Sequence, residues 1–234
     1  MESQQNCEVC GLPLVGGKDT VSLTCRFCGK LFTSQTDCPE GHHCCDVCRK
    51  MEVLEVLEQV IATTTSSSPL EILERVMAHP ALAMHGANHH YIVPAVIVAA
   101  ASHTGYPVPV EAIQQAVQRG SQVPGGWCAF CGACGAAVGV GIAVSALVMA
   151  TPLNGKKRSL AMEATSFALS RMLDDAPRCC KKASRIAMEV AVEFCKEKLG
   201  INMDSGRPVT CCYSSRNREC VRAACPYYPS HQTG

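Results

Sequence analysis

Aromatic side chains, charge in the middle of the chain and apolar–polar alternation are what this sequence has least of. Trp, Tyr and Phe together number eleven in 234 residues, which leaves little for nucleic-acid bases to stack on. The formal net charge is +1, which sets aside a strongly basic nucleic-acid binder. That charge is unevenly spread. Residues 156–234 carry fourteen Lys/Arg against eight Asp/Glu, whereas no charged side chain falls between Ser121 and Gly155. A stretch so free of charge has to be buried. A bilayer is a poor host for it: Cys131, Cys134 and four glycines occupy the first half of Ala129–Ala150 and leave an apolar run of about fifteen residues, short of the roughly twenty that span. A buried helix of a protein core is expected instead, with no membrane. The first residues also lack a basic segment followed by an apolar one, so export is not expected and the chain is placed in the cytoplasm.

Against these absences stand eighteen cysteines. In a reducing compartment, cysteines at short regular spacings act as metal ligands or reactive thiols rather than disulfide halves. Cys7-x2-Cys10 and Cys25-x2-Cys28 are each followed by a glycine, a knuckle that aims two thiolates at one ion, and two knuckles complete a tetrahedral zinc site. The next block supplies a second set, most economically Cys38, His42, Cys45 and Cys48, with His43 and Cys44 equally near. Spacing leaves two arrangements open: sequential pairing gives two separate sites, and crossed pairing, with 7/10 joined to 38/42 and 25/28 to 45/48, gives a braced module. Residues 1–50 have too little apolar periodicity to fold without the metal. A zinc that only holds the fold is one reading of this module and a redox-active iron the other.

Beyond residue 50 the pattern is helical. Apolar residues at 51, 54, 57, 60 and 61 make a stripe, and Ser68-Pro69-Leu70-Glu71 is a helix start with Ser as N-cap, Pro in the first turn and Glu three residues on. Further helices are expected over 90–103, 109–119, 135–150, 157–173 and 177–199. The expected fold is therefore mainly α, with a small zinc-ribbon-like or treble-clef-like module (1–50), an all-α Cys/His-containing domain (51–202) and a Cys-rich C-terminal tail packing on it (203–234).

Several groups in that second part carry chemistry. His85 and His89 are one helical turn apart and can face one ligand, the plainer alternative being capping or hydrogen-bonded core histidines, as for His79, His90 and His103. Cys128-x2-Cys131-x2-Cys134 has the spacing with which ferredoxin-type loops wrap a cubane iron–sulfur cluster. It needs a loop before the helix that starts near Gly135, and the alternative is a tight helix contact through Gly135 and Gly139. Cys179 and Cys180 open a helix beside Arg178, Lys181 and Lys182, where thiols are expected to ionise near neutrality. Cys195 reads as core. The tail contributes Cys212, Cys220 and Cys225, with Cys211 adjacent.

The runs His85-Gly-Ala-Asn-His89-His90-Tyr-Ile-Val-Pro-Ala, Pro124-Gly-Gly-Trp-Cys128, Gly132-Ala-Cys134-Gly-Ala-Ala-Val-Gly-Val-Gly-Ile, Ala150-Thr-Pro-Leu, Ala164-Thr-Ser, Pro177-Arg-Cys-Cys-Lys-Lys and Cys225-Pro-Tyr-Tyr-Pro fall in one order. Together they resemble an uncharacterised cysteine-rich domain-of-unknown-function family of anaerobic prokaryotes. The Cys38 to Cys48 block is similar to the short metal block that precedes that domain. The resemblance covers about residues 38 to 228. It implies an intracellular protein, often encoded near radical-SAM enzymes and methyltransferases, one of which is the expected partner.

The leading expectation is a metalloprotein with N-terminal zinc sites at Cys7, Cys10, Cys25, Cys28, Cys38, His42, Cys45 and Cys48. A 4Fe-4S cluster is expected among Cys128, Cys131, Cys134, Cys179, Cys180, Cys212, Cys220 and Cys225. If catalytic, it would be a lyase or desulfidase acting on a small anionic substrate, with His85 or His89 moving protons, Cys180 reactive or ligating, and Lys181, Lys182 or Arg178 holding the anion. The alternatives are a non-enzymatic sulfur, metal or electron carrier that serves a partner enzyme, and a zinc-dependent nucleic-acid regulator.

Overall fold

Order along the chain and grouping in space do not coincide. The computed structural model describes residues 6–229. One compact unit takes Met1–Thr64 together with Glu74–Ala83, and the other takes Thr65–Leu73 together with Met84–Gly234. Helix α3 (Pro69–Met77) therefore starts in the second unit and ends in the first.

In the first unit, β1 (Val15–Thr24) and β2 (Leu31–Asp37) form an antiparallel hairpin that pairs Val15 with Asp37 and Thr24 with Leu31, with a register slip between Gly16 and Val21. A two-stranded ribbon has little face to bury, and no residue of β2 is fully buried. Apart from Val9 and Phe27, the buried hydrophobic positions up to residue 50 are cysteines: 7, 25, 38, 44, 45 and 48. Thiols take the place of a core. After the short helix α1 (Asp46–Arg49), helix α2 (Val53–Thr63) buries Val53, Val56, Leu57 and Val60.

The second unit is helical and apolar. Ser68 caps α3 as its sequence predicts, its Oγ accepting the Glu71 N–H at 3.3 Å. Helix α4 (Asn88–Ser102) is buried from His89 to Ala101 except at Tyr91, so it has no polar face to show and must sit in the middle. Around it come α5 (Ala112–Ser121), the single turn α6 (Trp127–Phe130), α7 (Gly135–Leu147), α8 (Gly155–Arg171) and α9 (Cys180–Leu199). Helix α4 packs on α5, α7 and α9, and α7 also packs on α5, α8 and α9. The glycines of α7 explain how closely it packs: a Cβ on Gly135 would overlap the His90 ring, and one on Gly141 would overlap Thr165 Oγ1 and lie 2.7 Å from the Ala161 carbonyl. The helix-contact reading of this stripe thus describes its packing. Among the described residues, no helix is long and apolar enough to cross a membrane.

Among the described residues past Gly200 there is no α-helix, and hydrogen bonds hold the segment in place. The Asp204 N–H reaches Ser67 O at 3.1 Å and the Cys211 N–H reaches Tyr227 O at 2.8 Å. Tyr227 Oη donates to Glu189 Oε1 on α9 at 2.8 Å. Ile201, Met203, Tyr213 and Tyr227 are the segment's buried apolar residues. The helices start and stop within three residues of the expected bounds, and α6 occupies what reads in the sequence as pure loop.

Candidate metal centres

In the first unit the ligand atoms gather in two sets, Cys7/Cys10/Cys38/His42 and Cys25/Cys28/Cys45/Cys48. Within each set all lie within 4.8 Å of one another and could hold a metal ion. Cys10 Sγ is 3.5 Å from Cys38 Sγ, Cys38 Sγ 3.6 Å from His42 Nδ1, and Cys28 Sγ 4.0 Å from Cys45 Sγ. A tetrahedral ion with metal–sulfur bonds of about 2.3 Å spaces its ligands about 3.8 Å apart, so each set suits one such ion. The pairing is the crossed one. The hairpin explains it: Cys25 and Cys28 sit at its turn, while the Val15–Asp37 pair brings Cys38 back to the strand that follows the Cys7–Cys10 knuckle. His43 and Cys44 stay out of both sets. His43 lies against Phe32, with ring centroids 5.5 Å apart, and Cys44 donates to Cys45 O at 3.7 Å, its pKa pushed up to about 12 by burial.

Charge favours a cation at both places. Burial works against ionising Cys25, but the N–H groups of Cys45, Cys28 and Phe27 outweigh it and bring the thiol down to about 7. Cys38 is lowered in the same way, burial being overcome by the N–H groups of His42 and Glu40. Burial drives Cys10 up to about 12 and raises Cys28 and Cys48. Each set thus pairs a thiol eased toward ionisation, Cys38 in one and Cys25 in the other, with thiols that burial holds back, Cys10 in one and Cys28 and Cys48 in the other.

The second part of this unit braces the cysteine sets. The Ala81 N–H donates to His79 Nδ1 at 3.2 Å, so the proton is on Nε2, which donates to the Cys48 carbonyl at 2.8 Å. The His79 ring meets Phe27 edge-on, with centroids 4.6 Å apart. Arg75 donates to Phe27 O at 3.0 Å and to Thr63 Oγ1 at 2.9 Å. His79, grouped by sequence with the central histidines, supports the knuckles instead.

In the second unit, two cavities meet at the start of α9. The larger, about 380 Å³, is lined by Cys128, Cys134, Cys179, Cys180 and His90, with Arg178 and Lys182 and an apolar wall that includes Trp127, Met172 and Ile186. The smaller, about 30 Å³, is lined by Cys179, Cys211, Cys220 and Cys225 together with Lys181, Arg185, Tyr213 and Asn217. Cys131 and Cys212 are exposed and are not among the lining residues of either. Cys195 is fully buried in α9.

Adjacent residues at a helix start point in different directions, and Cys179 and Cys180 do so. Cys179 caps α9, its Sγ accepting the Lys182 N–H at 3.5 Å and an Asn217 Nδ2 N–H at 3.8 Å, and its neighbouring thiols are those of Cys211 and Cys225. Cys180 Sγ accepts the Gly86 N–H and neighbours Cys134. The expected ionisation of this pair near neutrality is corrected here. Burial raises both thiols, and the neighbouring thiols add to the effect, outweighing the helix N–H groups and Arg178.

The other expected residues are placed as follows. His85 Nε2 donates toward Asn217 Oδ1 and Glu219 Oε2, each at 3.3 Å, tying its loop to the tail. His89 Nδ1 donates to Gly86 O at 3.2 Å and leaves Nε2 buried without a hydrogen-bond partner; burial, then the nearby Lys181, lowers its pKa to about 3. Neither histidine is among the residues lining the two cavities. His90 does line the larger one, its Nδ1 donating to Val123 O at 2.8 Å. Lys181 is 2% exposed with Nζ 4.2 Å from the Tyr213 ring centroid, and Arg185, 1% exposed, lies 5.2 Å from that of Tyr227. Lys182 pairs with Asp174. Sequence reasoning missed Arg185, whose only signal was a basic residue one turn after Lys181 on a buried face.

No curated protein and no solved structure gives a significant match to the chain. The profile of DUF5714, a family of unknown function, matches residues 57–228. That span starts in α2 and takes in both cavities of the second unit, and the chain belongs to this family.

Proposed function

We propose that this chain is a two-part metalloprotein in which the first unit carries two structural zinc ions and the second an iron–sulfur cluster beside a pocket for a small anion. The observation that carries the second half is the meeting of Cys128, Cys134 and Cys180, from a glycine-rich loop and a helix start, on one 380 Å³ cavity. That volume exceeds what water-sized voids need by more than an order of magnitude, and its glycines let backbone N–H groups approach sulfur. When bound, a cluster held by three protein thiolates supplies an iron with an open position, a Lewis acid for a sulfur- or oxygen-bearing anion.

The chain's own residues do the rest. The Gly86 N–H stabilises the Cys180 thiolate. Arg178 at the wall attracts an anion, Lys182 being paired there with Asp174, and Trp127, Met172 and Ile186 supply an apolar face. His90, whose Nδ1 is committed to Val123 O, has Nε2 left as the proton acceptor; it fits the proton-moving role better than His85 or His89. We read this layout as serving a lyase or desulfidase type of reaction.

The test is anaerobic purification followed by zinc, iron and acid-labile sulfide analysis. The expected result is about four iron and four sulfide per chain, with iron lost in Cys180→Ala and in Cys134→Ala. A protein without labile sulfide, before and after reconstitution with iron and sulfide, overturns the cluster.

A further inference from the structure

We propose that Cys179, Cys211, Cys220 and Cys225 form a third single-ion site, a four-thiolate zinc-type centre that fastens the tail to α9. It takes Cys179, Cys220 and Cys225 out of the sequence-expected cluster set and uses none of the three thiols, Cys128, Cys134 and Cys180, that carry the cluster proposal.

Three observations lead to it. First, the four thiols line one cavity, and they come from the helix start and from three places in the tail, so one ion would join segments 32 to 46 residues apart. Second, the cavity is about 30 Å³. A water needs about 10–15 Å³ of such volume, so the space suits an ion and not a cubane, whereas the neighbouring 380 Å³ cavity suits the reverse. Third, four thiolates on a divalent ion carry two net negative charges, and the same wall holds Lys181 and Arg185, each nearly fully buried. Buried cations stacked on Tyr213 and Tyr227 are suitable neighbours for a buried anionic centre. The tail's composition agrees: apart from Tyr213 and Tyr227, residues 205–229 contribute no buried hydrophobic side chain, and a segment with so little to bury is commonly ordered by a metal.

The Arg222 N–H already donates to Cys220 Sγ at 3.4 Å, and Lys182 N–H and Asn217 Nδ2 to Cys179. Such N–H···S bonds are the outer-shell support that metal thiolates use. Among the described residues, only the first unit's two sets bring three or more ligand atoms within 4.8 Å of one another. Closing the third site therefore needs the thiols to move together, by side-chain rotation and movement of the tail, and binding should tighten the tail.

The experiment is zinc analysis of the full-length chain, wild type against Cys211→Ser, Cys225→Ser and the neighbouring Cys212→Ser, with limited trypsin digestion of each. Wild type should hold three zinc equivalents. Cys211→Ser and Cys225→Ser should hold two and be cut after Arg216 and Arg218 about tenfold faster, while Cys212→Ser keeps three and its protection. The two equivalents of the first unit and an unchanged helical circular dichroism show that each variant is folded. Two equivalents in wild type, or the same count in Cys211→Ser as in wild type, overturns the third site. Labile sulfide reports on the cluster separately, so loss of either proposal leaves the other readable.

Discussion

The two units reach order by opposite means. In the first, buried positions up to residue 50 are mostly cysteines and the sheet is a bare hairpin. In the second, α4 and α7 are buried nearly all round by aliphatic side chains and glycines. The first has thiols where a core would be; the second is a packed core with its thiols at the edge. On the proposed reading, metal ligation serves folding in the first and chemistry in the second.

The sharpest way to break that comparison is to remove metal from the first unit alone. Structural zinc contributes on the order of 10 kcal/mol, as much as the whole stability of a typical domain. A Cys25→Ser chain should lose one zinc and the hydrogen-exchange protection of β1 and β2, while the helical signal, which comes mostly from the second unit, falls only slightly. A helical signal that collapses in step with zinc loss would mean that the second unit does not stand on its own packing.

The converse attack is on packing. Gly141→Ala places a methyl onto Thr165 and against the Ala161 carbonyl, in a contact between α7 and α8 with no flexible side chain end to give way. Overpacking of this kind costs about 3 kcal/mol, read as a lower melting temperature of the helical signal, with zinc content unchanged. A variant as stable as wild type would show that α7 and α8 can slide apart.

How far each unit was legible follows from the same contrast. The knuckles Cys7–Cys10 and Cys25–Cys28 are local, so spacing alone marks them. Their crossed pairing depends on hairpin register, which no spacing carries. The α3 start at Ser68 and the end of α9 at Gly200 are local signals too, and they were readable. The place where Cys179 and Cys180 part company is not local: it depends on where the tail returns, and for that reason Cys211, not Cys212, comes to the cavity. The ionisation of that pair was misjudged because helix N–H groups and cations are visible in sequence and burial is not. Arg75 and His79 were missed as braces because they lie outside the cysteine block in sequence and inside it in space.

Acid distinguishes the units more gently. His89 has a folded pKa of about 3 against 6.5 for the ordinary group. Its folded form refuses a proton that the unfolded chain accepts, so its contribution is complete above pH 6.5 and is lost as pH falls toward 3, at a slope approaching about 1.4 kcal/mol per pH unit. His79 in the first unit is lowered by burial as well, with the same sign. The His89→Gln chain should lose less stability than wild type between pH 6 and 4 when the helical signal is followed, leaving the hairpin's acid sensitivity as it was. Equal slopes in the two proteins would show that His89 takes up its proton without unfolding.

The smallest effect asks whether the tail belongs to the packed unit or only to its metal. Tyr227 is buried and donates its hydroxyl to Glu189, so Tyr227→Phe keeps the ring and removes one hydrogen bond to a charged group, a loss of about 1.5 kcal/mol. If the tail is docked by packing, that loss appears as a lower melting temperature and a modest rise in tryptic cleavage after Arg216, with metal content intact. If an ion at Cys179 and Cys211 carries the docking, the metal-loaded variant behaves as wild type and the difference emerges only in Tyr227→Phe combined with Cys211→Ser. A tail lost in the single variant with metal fully retained would assign its order to the tyrosine alone, and with it the rule that thiols in this chain organise structure only where apolar side chains are missing would fail at its C-terminal end.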